Sequence, residues 1–405
     1  MIKIKERFIN MISIFILLIS LILTHSCNID DNKKAYLEKV LSNLEQIESA
    51  TYFSVRSGFA PYDTIAYSVY ENYINEYRNP SDTFVGASFV ILNRKNTTKM
   101  DYCYDGEMRA RVHWDEKTME IDSFKNNARP YRVVLAPFYK RAIRLLQYTL
   151  ETKDSITIDS KDFGDSIQYN ITVHDTAVEF GFSKISYTPA IYGTHKGEAS
   201  KYGIWINKSN NLPYRVLRDM PHDKSGEVIS DIKFNKVKLE NFVASEYFPD
   251  FPLISEVEPA KPKVNLLGKV APNWMLYDTD SSIVALDSLK SKILMIQITS
   301  VSCGPCKASI GFLKKLATEY DKKDFDFVAI EGFSRNSKVL QKYQERNSFN
   351  YKFLMSTKEV SNNYQIKEIP VFYILDENRI IRNIIRGYGI ETTDKEIRDA
   401  INKLI

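Results

Sequence analysis

Four prolines, Pro249, Pro252, Pro259 and Pro262, crowd the short stretch FPDFPLISEVEPAKPKV. Proline lacks a backbone donor and its ring fixes φ, so a run this dense enters neither a helix interior nor the middle of a sheet. It reads as a semi-rigid extended spacer. The chain it divides has 405 residues, more than one ordinary hydrophobic core serves. The spacer is placed at residues 250–265, with one domain over 34–249 and a second over 266–405. No internal repeat or low-complexity tract appears on either side.

The extreme N-terminus is different material. MIKIKERFIN is charged through Lys3, Lys5 and Arg7, MISIFILLISLIL is uninterruptedly apolar, and THSC follows. That is the layout of a secretory signal. A membrane span is the alternative, but Phe8 to Leu23 is short against the roughly 20 residues a span needs. Cys27 stands where a cleavage site belongs, and the segment resembles a bacterial lipoprotein signal. The pattern departs at one place, where Thr24 stands three residues before the cysteine and Leu23 one further back. The resemblance implies a signal peptide over 1–26, a lipidated Cys27 holding the protein to a membrane, and a tether over 27–33. It also implies the envelope of a two-membrane bacterium, facing the periplasm or the exterior. Asp30 and Asp31 read as part of a solvated tether or as a sorting signal. The formal charge of +4 is modest, and charges of both signs are interspersed, which leaves no polybasic face for nucleic acid.

Ahead of the spacer, KKAYLEKVLSNLEQIES sets Leu37, Val40, Leu41, Leu44 and Ile47 at helical spacing. From Thr51 onward β-branched and aromatic residues dominate, with Asp105-Gly106 as a two-residue hairpin signal. A second helical pattern, VLAPFYKRAIRLLQYTL, interrupts the strands. These elements predict an α+β unit with one antiparallel sheet curved around a helix. Cys103, within KMDYCYDGEMR, reads as a structural thiol in a strand. The order of elements and the turn in YGIWINKSNNLPYRV resemble the LolA/LolB type of envelope lipoprotein domain, a half-barrel. That likeness implies a hydrophobic ligand; a partner-binding platform without ligand is the alternative.

Beyond the spacer, strand-like and helical runs alternate and close with VFYIL, DENR and IIRNIIRGY, which predicts a mixed α/β sheet covered by helices. Ser356 with Glu359 and Thr393 with Glu396 have capping-box spacing. Between the strand ILMIQIT and a helix striped by Ile310, Leu313, Leu316, Ala317 and Tyr320 lies Cys303-Gly304-Pro305-Cys306. Four roles compete for this pair. Zinc needs about four N or S ligands, yet the five histidines all precede the spacer. A structural disulfide across so short a loop constrains little chain entropy. The others are a docking module that has lost its chemistry and a working dithiol. For the last, a helix N-terminus stabilises a thiolate through its unpaired N–H groups and dipole. Cys303 would then be the exposed nucleophile and Cys306 the resolving sulfur. Pro305 suits the first helical turn, and Gly304 would let a substrate backbone approach.

Residues 266–405 resemble thioredoxin-like proteins of the envelope TlpA family, on CGPC at a strand-to-helix junction, Ile369-Pro370 before a late strand, and the lead-in GKVAPNWMLYD. The resemblance implies a cis Pro370 that packs beside the disulfide and presents substrate. It also implies no cofactor beyond the Cys303–Cys306 couple, protein disulfides as substrates and a membrane thiol carrier as electron donor. The Gly-Pro dipeptide is that of thioredoxins, which favours reduction, with oxidase or isomerase activity as the alternative. Where thioredoxins carry a buried Asp, Gln297 stands as a neutral amide, much as Asn does in many TlpA-type members. Ser309 replaces a glutamate seen in some members, and Ser302 a common tryptophan. Glu331 is then the candidate proton acceptor, unless it is an exposed loop-side carboxylate. Without a clear base, slow resolution of mixed disulfides is expected.

Overall fold

A computed structural model describes residues 30–124, 134–174, 176–181, 185–187, 199–254, 265–366 and 368–405. The leader 1–26, Cys27, and Pro259 and Pro262 lie outside the described residues. The first helix, α1 (Asp31–Glu45), starts inside the stretch read as tether, because the Asp30 carboxylate accepts the Asn32 N–H at 2.9 Å and caps it. Leu37, Val40 and Leu44 of its apolar stripe are buried.

Then follow β1 (Ser49–Phe59), β2 (Ala66–Arg78), β3 (Ala87–Asn93), β4 (Asn96–Tyr104), β5 (Arg109–His113) and β6 (Thr118–Asp122). After α2 (Phe138–Glu151) come β7 (Ile156–Asp162), β8 (Ser166–Val173), the short pair β9 (Val178–Glu179) and β10 (Ser186–Tyr187), β11 (Ser200–Asn207), β12 (Leu212–Asp219) and β13 (Lys224–Phe234). Apart from that pair, these strands form one eleven-stranded sheet in the order β6-β5-β4-β3-β2-β1-β13-β12-β11-β8-β7. All its neighbours are antiparallel. The N-terminal part is therefore a large antiparallel sheet. Both helices pack on it: Leu37, Val40 and Leu44 share a core with Phe138, Leu145 and Leu146 and with Tyr52, Tyr169, Ile171 and Ile204 of the strands.

Two local expectations shift. The Asp105-Gly106 turn is a four-residue loop, since Tyr104 pairs with Arg109. The Asp105 carboxylate accepts both the Glu107 and Met108 N–H groups at 2.8 Å, and this side-chain turn outcompetes a tight hairpin. Residues 251–253, read as the start of the spacer, are also packed against the sheet. Phe248, Phe251 and Leu253 pack over Val90, Met100 and Cys103, and the Met119 N–H donates to the Pro252 carbonyl at 3.0 Å. Aromatic residues between the prolines have apolar surface to bury, and the sheet offers the place.

The C-terminal part holds β14 (Met275–Asp278), β15 (Ile283–Ala285), β16 (Ile293–Thr299), α3 (Gly304–Glu319), β17 (Phe325–Glu331), α4 (Ser337–Asn347), β18 (Lys352–Met355), α5 (Lys358–Asn363), β19 (Val371–Leu375), β20 (Ile381–Arg386) and α6 (Thr392–Asn402). The sheet order is β15-β14-β18-β17-β16-β19-β20, with the β16–β17 and β17–β18 pairs parallel. All seven residues of central β16 are buried, as a strand covered on both faces requires. This is a thioredoxin-like fold. Both expected capping boxes fail. Thr357, not Ser356, caps α5 by accepting the Val360 N–H at 3.2 Å. Thr393 lies inside α6, where its hydroxyl accepts the Gly389 N–H at 3.0 Å and the helix start has no side-chain cap.

Candidate active site

β16 runs through the middle of its sheet and delivers the chain at its C-terminal end to the start of α3. Cys303 is the residue that caps this helix: its Sγ accepts the Cys306 N–H at 3.2 Å. Pro305 falls in the first turn, where an N–H would go unused. Cys303 and Cys306 are joined as a disulfide, with Cα atoms 5.2 Å apart. Cys306 is 2% exposed, while Cys303 is only partly buried. One sulfur thus faces outward and the other inward, as the sequence suggests.

Against this pair stands the Ile369-Pro370 peptide, which is cis. Pro370 is buried, and the carbonyl oxygen of Ile369 lies 4.0 Å from Cys303 Sγ. The Pro370 carbonyl accepts the Gly387 N–H at 2.8 Å, which ties the loop to the end of β20.

Beneath the helix start, the two positions that could have carried acids are neutral and bonded to one another. Gln297 Nε2 donates to Ser309 Oγ at 3.0 Å, and that hydroxyl donates to the Cys306 carbonyl at 2.7 Å. Glu331 is the acid close by, at the end of β17, and the alternative of an exposed loop-side carboxylate fails because it is 0% exposed. Its carboxyl accepts the Val301 N–H at 2.7 Å, the Phe333 N–H at 2.9 Å and the Ser334 N–H at 3.0 Å. Burial pushes its pKa up, against those N–H groups, which favour the charged form. Cys103 lies apart in β4, free and buried, and burial pushes its thiol up to about 12. Among the described residues no cluster of three or more His, Cys, Asp or Glu could hold a metal ion.

The Redoxin family profile matches residues 266–401. The thioredoxin-like protein YneN of Bacillus subtilis is 24% identical over 136 residues, 33% of this chain and 78% of that one. The thiol-disulfide oxidoreductase ResA of Oceanobacillus iheyensis is 26% identical over 130 residues, 31% of this chain and 67% of its own. A crystal structure of an uncharacterized conserved protein from Geobacillus kaustophilus aligns at 28% identity and a TM-score of 0.32, over 34% of this chain and 81% of that one. The C-terminal third is a thioredoxin-superfamily domain. The matched family and these relatives support thiol-disulfide oxidoreductase activity for the chain.

The thioredoxin-like domain does not present its dithiol alone. The open approach expected beside Gly304 is occupied: a Cβ placed there would lie 3.4 Å from Cγ of His222, a residue of the β12–β13 turn. Lys307 Nζ donates to the Pro221 carbonyl at 2.6 Å, and the Tyr67 and Ser302 side chains are hydrogen-bonded. Sequence reasoning missed these neighbours. Nothing in PHDKS or IAYS marks a redox site, and only the docking of the two parts brings them there.

Proposed function

We propose that the protein is a membrane-tethered envelope thiol-disulfide oxidoreductase that reduces protein disulfides through Cys303 and Cys306. The observation that carries this reading is the placement of Cys303 Sγ at the cap of α3 and 4.0 Å from the Ile369 carbonyl. In the reduced state the N–H groups of α3 favour a Cys303 thiolate. That thiolate attacks a substrate disulfide, and Pro370 presents the substrate strand. Cys306 then attacks the Cys303 sulfur, closes the internal disulfide and releases a dithiol product. Glu331, fixed beside the Cys loop through the Val301 N–H, would accept the Cys306 proton. Gly304, Pro305, Gln297 and Ile369 support the motif.

The oxidised dithiol needs electrons to begin again, and in an envelope these would come from a membrane thiol carrier. The lipoprotein-like leader supports a lipid anchor on Cys27, with the protein facing the periplasm. Surface exposure is the variant of that reading. The N-terminal sheet would act as a LolA-like half-barrel that binds a hydrophobic ligand. A cavity of about 710 Å³ supports this role, with Ile74, Phe89 and Ile91 in its wall. Arg56, Arg109, Arg111 and Arg141 also line it, beside Asp101 and Glu227, so its wall is mixed in charge with a basic excess that would favour an acid group on the ligand.

The test is a redox titration of the purified chain in graded dithiol buffers, with alkylation reporting Cys303 and Cys306. A common midpoint near the thioredoxin value of about −270 mV supports the reductase; one near about −120 mV reverses the direction of flow. A pair that never equilibrates sinks the reading and leaves a binding protein with a non-catalytic docking module.

A further inference from the structure

The side of the dithiol that faces the N-terminal part is a built surface. His222 lies against Gly304, with its own Cβ 3.5 Å from where a Gly304 Cβ would be. Its ring is held from behind: Nε2 is 3.5 Å from the Asp223 carboxylate, and Asp223 pairs with Arg218 at 2.5 Å. Arg218 in turn pairs with Glu179, so the histidine ends a chain of charges anchored in the large sheet.

The docking that carries His222 there is itself core-like. Ala60 is fully buried in one apolar cluster with Val301, Val339, Leu340 and Phe353, and Ile65 and Tyr67 pack against it. Arg346 donates to the Pro61 carbonyl at 2.5 Å, and Asn336 to that of Ala66 at 3.4 Å. Apolar burial across the junction holds the two parts by the force that holds each core. His222 is thus a fixed neighbour of Gly304.

Resting on the oxidoreductase reading above, we propose that His222 is a specificity-determining wall of the dithiol site. It closes the Gly304 side, and the site then admits disulfides carried on thin, extended segments along the Ile369-Pro370 side. Disulfides set in the surface of a folded protein are excluded. The electron bookkeeping is that of ordinary exchange. The Cys303 thiolate forms a bond to one substrate sulfur, and the other substrate sulfur leaves as a thiolate and takes a proton. The Cys306 thiolate then displaces the first substrate sulfur, and two electrons have passed from the dithiol to the substrate. His222 acts on the approach and leaves the electron count unchanged.

The experiment uses the full purified chain, reduced with dithiothreitol and desalted, as wild type, His222→Ala and His222→Phe. Single-turnover oxidation is followed with glutathione disulfide as the thin substrate and insulin as the folded one. His222→Ala is expected to raise the insulin rate about tenfold relative to the glutathione rate, within the range that one steric group in a pocket controls. His222→Phe, which keeps the bulk, should hold the wild-type ratio. An unchanged ratio in the alanine variant overturns the proposal, as does a phenylalanine variant that behaves like alanine. Alkylation of reduced Cys303 by iodoacetamide and by a polymer-linked maleimide gives a second ratio, which needs no turnover and must move the same way. If the wild-type pair cycles with dithiothreitol but neither ratio responds, only the wall falls. If the pair does not cycle at all, the oxidoreductase reading fails and the wall fails with it.

Discussion

Two helices in this protein begin in opposite ways. α3 begins with Cys303, whose sulfur accepts the Cys306 N–H, and with Pro305 in its first turn. Everything that starts the helix lies within four residues, and the same residues carry the chemistry. α2 begins after Pro137, which makes no side-chain cap. Its free N–H groups are met by Glu76 from β2: one carboxylate oxygen accepts the Tyr139 N–H at 3.1 Å and the other the Lys140 N–H at 2.9 Å. The Tyr52 hydroxyl completes the set at 2.7 Å. A local cap can be read from a sequence window, and a cap supplied from another element cannot.

The sharpest way to break the comparison is to remove the sulfur that both caps and reacts. Cys303→Ser keeps an oxygen able to accept the Cys306 N–H, so α3 should persist while disulfide reduction falls at least about a thousandfold, as for loss of a covalent nucleophile. Cys306→Ser should leave the first attack intact and accumulate mixed disulfides, visible on non-reducing gels. If either variant turns over glutathione disulfide at the wild-type rate, the assigned chemistry is wrong.

The remote cap comes next. Glu76→Ala leaves the buried Tyr139 N–H and the half-buried Lys140 N–H without partners. It should cost about 2–4 kcal/mol in denaturant unfolding, at about 1–3 kcal/mol for the buried group and about 1 kcal/mol for the half-buried one. Glu76→Gln keeps an acceptor and should cost less. The acid also predicts a pH dependence. Burial raises the Glu76 pKa from 4.5 to about 7, so the folded state holds a proton that the unfolded state has released. Stability then declines as pH rises across that window, by on the order of 3 kcal/mol. Glu76→Gln should flatten the decline, and a wild-type profile that rises through the same window contradicts the assignment.

The same contrast explains what could be read from the residues. The alternation of apolar strands and amphipathic helices after residue 266 outlines the C-terminal fold, because each element declares its period locally. SKVLQKYQERN becomes α4 over Ser337–Asn347, and the CGPC pair sits at the start of α3. Errors fall where a neighbour decides. Ser356 and Thr393 have the right spacing, but adjacent backbone claims other partners. Glu331 reads as exposed until its loop folds over it and three N–H groups converge on its carboxyl. Phe251 sits among prolines and still packs, because Trp114 stands 5.3 Å away, ring centre to ring centre. His222 had no signal of any kind, since its role is made by contact between residues that are some eighty positions apart in the chain.

A smaller effect tests the buried neutrality under the dithiol. Gln297 and Ser309 form a closed amide–hydroxyl–carbonyl chain, so neither offers a base to Cys306. Gln297→Asp restores a carboxylate and should shorten the lifetime of a trapped mixed disulfide about tenfold, below the hundredfold at which general bases commonly begin because the chain to Ser309 must be broken. The gain should appear above the pKa of the new acid and vanish below it. An unchanged release rate at every pH would show that the inner thiol is deprotonated by some other group, with Glu331 the first to examine by Glu331→Gln.

The smallest effect concerns the third thiol. Cys103 and Cys303 are both cysteines, yet their surroundings oppose one another. Cys303 caps a helix and is partly open, whereas Cys103 is 0% exposed among Val90, Met100, Ala110 and Phe251, with its thiol pushed up to about 12. A thiol in such a place packs as a small apolar group and is almost entirely protonated at neutral pH. Cys103→Ala should therefore leave the dithiol midpoint unchanged and cost only about 1 kcal/mol of stability. In the reduced wild type at pH 8, a polar maleimide should label Cys303 within the time that leaves Cys103 untouched, and denaturant should abolish the difference. Equal labelling of the two in the native protein would mean that β4 opens to solvent, and that the sheet around it is far less closed than its burial indicates.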